Sequence, residues 1–204
     1  MTATIPSRET RLLLDLSERI AIVLLFVWLC SRFYASLDET PFNLFFLVSE
    51  GIVALFVLFR RATENISIKP FDWAVGVIGT MLPMLISPSG NGWPIGVVFL
   101  IAGLGISLGA KISLRRSFGV VAANRGVKCD GLYGAVRHPM YLGYFLTYAG
   151  VLMLNPSVFN AALLTLWAAC QIARIIAEER VLLQDATYQA HARKVRFRLI
   201  PYVY

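Results

Sequence analysis

The sequence predicts an all-α integral membrane protein of about six transmembrane helices, the last two a helical hairpin, with a polar connector and a C-terminal tail on the cytoplasmic side. Three observations predict it. The chain of 204 residues is 57% hydrophobic and 15% charged, with a mean hydropathy of +0.67, too apolar to supply the polar surface of a water-soluble domain. Its apolar residues gather into runs close to the ~20 residues that cross a bilayer. Its lysines and arginines fall in alternate connections between those runs, the bias that orients helices in a membrane.

In order, the apolar runs cover 17–37, 42–59, 71–87, 93–113, 140–155 and 157–177. The polar lead before the first is long and no small-residue cleavage site follows it, which argues against a cleavable signal peptide. The fourth is rich in small residues. The spacings Gly92-x-x-x-Gly96 and Gly105-x-x-x-Gly109 permit close helix contact and are expected to pack the monomer rather than drive a dimer. The fifth is short and is expected to tilt, or to stop short and turn tightly into the sixth at Asn155-Pro156.

Orientation follows from the cations. The connections at 38–41, 88–92 and 155–157 hold no lysine or arginine. The other side holds Arg8, Arg11, Arg60, Arg61, Lys69, Lys111, Arg115, Arg116, Arg125, Lys128 and Arg137, then Arg193, Lys194, Arg196 and Arg198 in the tail. This alternation predicts six crossings with both termini cytoplasmic. Arg32, near the outer end of the first run, is the exception and is expected to snorkel toward Asp38 or Glu39.

The net charge of +7 does not indicate a nucleic-acid partner, because the cations sit beside apolar runs and no nucleic-acid motif is present. Cys30, Cys129 and Cys170 form no C-x-x-C pair and no metal-ligand spacing, so no metal is expected. Trp28, Trp73, Trp93 and Trp167 read as interface anchors or lipid-facing bulk. Glu50, midway through the second run, is an intramembrane acid expected to be protonated or paired inside the bundle, with a substrate role as the alternative.

Two polar stretches carry chemistry. The connector at 111–139 mixes cations, glycines and aromatics, as a folded lid would, with a turn at Asp130-Gly131 and His138-Pro139 at the start of the fifth run. At the end of the sixth run, Arg174 and Glu178 are four residues apart on one helix face, followed by Glu179. A simpler account of each exists: a basic loop on anionic lipid, and a pair neutralising itself at the membrane edge.

Gly131-Leu132-Tyr133, then Arg137-His138-Pro139-Met140-Tyr141-Leu142-Gly143, then Arg174-x-x-x-Glu178-Glu179, together resemble the isoprenylcysteine carboxyl methyltransferase family, across about the last 85 residues. Phospholipid N-methyltransferases share a related pattern. The resemblance implies S-adenosyl-L-methionine as cofactor, held by the connector and the ends of the last two helices. It implies cofactor contacts from Arg125, Gly126, Val127, Lys128, Tyr133, His138, Pro139, Met140, Tyr141 and Glu178, with Arg174 engaging the substrate as the catalytic residue and Glu179 beside it. The stretch at 185–191 departs from the pattern: Tyr188 is retained, but His191 stands where a second tyrosine is usual. That division separates 1–113, the N-terminal helices, from 114–204, the catalytic region.

The residue types suit methyl transfer. Displacement at a sulfonium methyl needs positioning and electrostatics. A prenylcysteine carboxylate, ionised already, needs a cation such as Arg174 to hold it. An ethanolamine nitrogen must instead lose a proton, with Glu179 or His138 as base. The expected activity is therefore carboxyl methylation of a lipophilic, isoprenylcysteine-like membrane substrate. The alternatives are phospholipid N-methylation, thiol methylation, a steroid-type membrane reductase using a nicotinamide cofactor, and a non-enzymatic membrane protein or transporter. The last is disfavoured because only Glu50 lies near the midplane where transporters bind.

Overall fold

The computed structural model describes residues 8–34, 37–38, 41–59, 67, 69–89, 92–114, 121–122, 124 and 126–200, and no strand occurs among them. Seven α-helices form there: α1 (Arg8–Tyr34), α2 (Asn43–Phe59), α3 (Pro70–Met81), α4 (Gly96–Leu114), α5 (Pro139–Leu154), α6 (Val158–Leu182) and α7 (Ala186–Lys194). A 3₁₀ turn at Leu82–Leu85 continues α3, and another at Gly131–Gly134 precedes α5. Two helices, α4 and α6, are long and apolar enough to cross a membrane.

Most boundaries follow local chemistry. Proline at the first turn opens both α3 and α5, where its missing N–H costs nothing. Ser157 caps α6 by accepting from the Asn160 amide, and Asp185 caps α7 through the Thr187 amide. Helix α1 begins ahead of the first apolar run, and α6 runs on past the sixth through the acidic pair to Leu182. Segment α7, read from sequence only as part of a tail, is a separate helix.

Among the described residues, helices α4 and α5 pack most extensively, and glycine lets their backbones approach closely. A Cβ on Gly143 would lie 2.5 Å from the Ser107 amide nitrogen and 2.7 Å from the Gly103 carbonyl oxygen. Gly96 meets the Gly150 carbonyl in the same seam. The expected Gly105–Gly109 spacing is not the packing stripe: Gly105 has open space where its Cβ would be, and Gly109 meets only the Leu132 side chain. The seam instead follows Gly96, Gly103, Ser107 and Ala110, a wider step along the α4 face. Gly143→Ala should therefore cost about 1–3 kcal/mol by overpacking, read as a lower unfolding midpoint in detergent, whereas Gly105→Ala should leave it unchanged.

Polar contacts divide between the two ends of the bundle. At one end, Asn155 Nδ2 donates to Asn43 Oδ1 at 3.0 Å, while Asn160 Nδ2 donates to the carbonyls of Ser87 (2.9 Å) and Asn155 (2.7 Å). Arg32 belongs to this end but does not turn to Asp38. Its guanidinium donates to the Leu85 carbonyl at 3.1 Å and to Ser87 Oγ at 2.9 Å, and stacks over Trp28. The terminal carbonyls after α3 lack helical partners, which makes them its better acceptors. At the other end, Asp72 at the start of α3 accepts from Ser67 Oγ and pairs with Arg180 at 3.3 Å on α6.

Large apolar side chains cover the outside of the bundle as well as filling most of its core. Leu24, Leu55, Phe59, Phe71, Val98, Leu166 and Ile172 are exposed, while Glu50, Asp72, Lys111, Gln171 and Arg174 are buried. An apolar girdle around a partly polar interior matches a hydrocarbon surround. Lys111, grouped by sequence with the connector cations, is wholly buried. It follows Ser107 by one turn on the face of α4 pressed against α5, so the close glycine seam carries it inward.

Candidate active site

Helices α5 and α6 bring two carboxylates to different environments. Glu179 is buried among donors: Arg198 Nε at 2.6 Å, Arg137 Nη1 at 3.1 Å, His138 Nε2 at 3.3 Å and Tyr188 Oη at 3.4 Å. These partners come from the start of α5, from α7 and from the segment after it. The tail is further tied in by main-chain bonds from Arg137 N to the Phe197 carbonyl and from His138 N to the Arg198 carbonyl. Glu179 therefore staples the C-terminal segment to the bundle. His191, in the place of the second tyrosine, packs against Tyr188 with its ring centroid 6.0 Å away. Burial lowers its pKa, and Arg137, Lys194 and His138 lower it further.

Glu178 is half-buried and its Oε2 accepts from Tyr141 Oη at 2.8 Å. Tyr133, buried in the 3₁₀ turn, lies within electrostatic reach of Glu178: burial first, then that carboxylate, raise its pKa. Tyr141 thus bonds Glu178 directly, Tyr133 lies within its electrostatic reach, and Pro139 and Met140 are buried at the start of α5. Gly126, with φ of 105°, sits on the connector in a left-handed conformation suited to glycine. Its amide donates to Asn124 Oδ1, and Asn124 Nδ2 donates to Asp185, which ties the connector to the start of α7. Val127 is half-buried, Lys128 is exposed, and Arg125 lies outside the described residues.

Below this rim, a small cavity, with about 20 Å³ of room for water centres, opens among α2, α3, α5 and α6. Its walls carry Glu50, Thr80, Tyr144, Tyr148, Trp167, Gln171 and Arg174. Arg174 Nη1 donates to Gln171 Oε1 at 2.9 Å, and its guanidinium lies 5.6 Å from the Tyr141 ring centre. Arg174 therefore stands between the rim around Glu178 and the cavity. Glu50 Oε1 accepts from Tyr148 Oη at 2.5 Å. Trp167, expected to face lipid, is instead buried at the cavity wall, 4.4 Å from Tyr148 and 5.2 Å from Phe145 between ring centres. It shares the buried polar face of α6 with Gln171 and Arg174, which follow at helical spacing.

Sequence reasoning missed Tyr144, Tyr148, Trp167, Gln171 and Thr80. A usable signal was present: Tyr141, Tyr144 and Tyr148 on α5, and Trp167, Gln171, Arg174 and Glu178 on α6, recur at steps of three and four within otherwise apolar runs.

The bundle exposes large apolar side chains and lines an interior cavity with charged and aromatic groups, as a membrane protein would. Residues 93–189 match the family model described as phospholipid methyltransferase, a family of the isoprenylcysteine carboxyl methyltransferase-like group of membrane methyltransferases. No curated protein matches the chain. The matched segment contains Glu178, Glu179 and Arg174, and excludes Arg198 and the α2 and α3 walls of the cavity.

Proposed function

We propose that the protein is an S-adenosyl-L-methionine-dependent methyltransferase whose acceptor is a lipophilic molecule drawn from the bilayer. The observation that carries the reading is the placement of Glu178 one helical turn from Arg174, which lines the cavity, with both residues inside the segment matched by the methyltransferase family. Glu178 fits a cofactor ligand, because a half-buried carboxylate is suited to a bound ammonium group. Tyr141, which donates to Glu178, and Tyr133 would line the same side. When bound, the cofactor supplies an electrophilic methyl group on a sulfonium. The protein's own part is to align acceptor and methyl and to exclude water.

Arg174 would hold the acidic group of the acceptor with two hydrogen bonds. Two acceptors share that chemistry: a prenylcysteine-like lipid, whose carboxylate would itself be methylated, and a phospholipid, whose phosphate would dock while its amine is methylated. The Arg174 position favours the first by resemblance, and the phospholipid methyltransferase match favours the second. In the membrane we infer six crossings with both termini cytoplasmic. The basic connections and the Glu178 rim would then share the cytoplasmic face, and the Asn43–Asn155–Asn160 network the outer one.

Purified protein in detergent is expected to bind S-adenosyl-L-methionine in calorimetry, and Glu178→Ala or His138→Ala to weaken it at least about tenfold. For His138 the loss would act through the Glu179 staple as well as through contact. Wild-type protein that binds none would sink the reading. Labelled methyl transfer into prenylcysteines, phospholipids and small thiols, with base lability of the product, separates ester from N-methyl amine.

A further inference from the structure

We infer that Asp72 is a positioning residue for the cofactor site: it fixes the connector between α4 and α5 against the end of α6 that carries Glu178. The inference rests on the methyltransferase reading and deepens it, and Asp72 lies outside the matched residues 93–189.

Asp72 sits in the first turn of α3 with its side chain fully buried. A helix start favours an acid, but burying a carboxylate is costly unless its charge is matched and its oxygens are bonded. Two partners do this, and each belongs to a different segment. Ser67 Oγ, just ahead of α3, donates to Oδ2, and Arg180 Nη1 on α6 pairs with the same oxygen at 3.3 Å. Arg180 follows Glu178 by two residues. Ser67 is fixed in turn by its neighbours: the Lys69 amide donates to its Oγ at 3.3 Å and Trp73 Nε1 to its carbonyl at 2.9 Å. Its own amide donates across to the Ala122 carbonyl at 2.8 Å. A chain of polar contacts therefore runs from α6 through Asp72 and Ser67 to the connector.

The connector has two further ties to the same region. Two residues past Ala122, Asn124 Nδ2 donates to Asp185 at 3.0 Å, at the cap of α7 that follows closely on α6. The connector then leads into the 3₁₀ turn at Gly131–Gly134, where Tyr133 comes within electrostatic reach of Glu178. Gly126, Val127 and Lys128 lie between these ties, so their placement relative to Glu178 depends on them. Removing the Asp72 tie frees the Ala122 end to shift, and a site that works by alignment loses affinity with a displacement of about 1 Å.

Calorimetry with S-adenosyl-L-methionine on the full chain in detergent tests the tie. Asp72→Asn, which keeps the size and removes the charge, should weaken binding about tenfold. Arg180→Gln should give a similar loss, and the double variant little more than either. Ser67→Ala should weaken binding about threefold, and Ser67→Thr, which keeps the hydroxyl, should recover wild-type affinity. In labelled transfer to whichever prenylcysteine or phospholipid probe the wild type accepts, KM for the cofactor should rise while kcat stays within about twofold. Without cofactor, trypsin should cut after Lys128 at least about threefold faster in Asp72→Asn than in wild type. Cofactor affinity unchanged in both Asp72→Asn and Ser67→Ala, even with a lower unfolding midpoint, would make Asp72 an anchor of the fold alone and overturn the inference. Wild type that binds no cofactor would sink the methyltransferase reading and this inference with it, whereas unchanged variants beside a binding wild type remove only the inference.

Discussion

Arg174→Ala is expected to lower kcat/KM for methyl transfer by roughly 100- to 1,000-fold while leaving affinity for S-adenosyl-L-methionine within about twofold. The reason is position. Arg174 is buried on α6, its Nη1 donating to Gln171, and it lines the cavity rather than the Glu178 rim. Removing it takes away a forked donor for the acceptor's acidic group but no contact of Glu178 with Tyr141. Arg174→Lys should restore little, because a point charge on a flexible stem cannot reproduce two parallel hydrogen bonds. The measurement pairs labelled transfer with calorimetry on the same preparation. Loss of cofactor binding in parallel with turnover would move Arg174 into the cofactor site.

Glu179→Gln carries the largest expected effect on stability, about 3 kcal/mol. The substitution keeps the shape of the side chain and removes the charge that Arg137, Arg198 and His138 share. Removing the acid leaves two guanidinium groups around a mostly buried centre, and the segment from α7 to Ile200 keeps its main-chain bonds at Arg137 and His138 but loses its charged staple to α6. Part of the loss is returned because Arg198 is 37% exposed and can be hydrated. A lower unfolding midpoint in detergent and faster proteolysis after residue 182 would show it. An unchanged midpoint with a raised KM for the acceptor would instead support the substrate-binding role that the motif implies for Glu179.

These two residues show how a motif can be legible while the roles within it are not. Arg174-x-x-x-Glu178-Glu179 is visible as spacing, and spacing alone puts Arg174 and Glu178 on one helical face. It does not say that Glu178 meets Tyr141 while its neighbour meets three basic side chains. Neighbouring residues on a helix point about 100° apart, so each carboxylate's partners depend on what packs against its own side. The same limit explains the glycines: both proposed spacings were visible in the sequence, but only packing against α5 shows that Gly103 faces the partner helix and Gly105 does not.

The sequence by itself determined the helices and their apolar character, since hydropathy, prolines and caps act over a few residues. It also determined the hairpin at Asn155-Pro156 and the stretch holding the rim, where residues 93–189 carry the methyltransferase pattern. Only the tertiary structure decided the cavity. Glu50 and Tyr148 are 98 residues apart in the chain and share a hydrogen bond of 2.5 Å, and Trp167 turns inward beside them. Such contacts depend on which faces of four helices pack together, which hydropathy leaves open because an apolar face can meet either lipid or protein. The cavity is made of those long-range contacts, and there an acid that reads as an isolated charge in an apolar run becomes part of one wall.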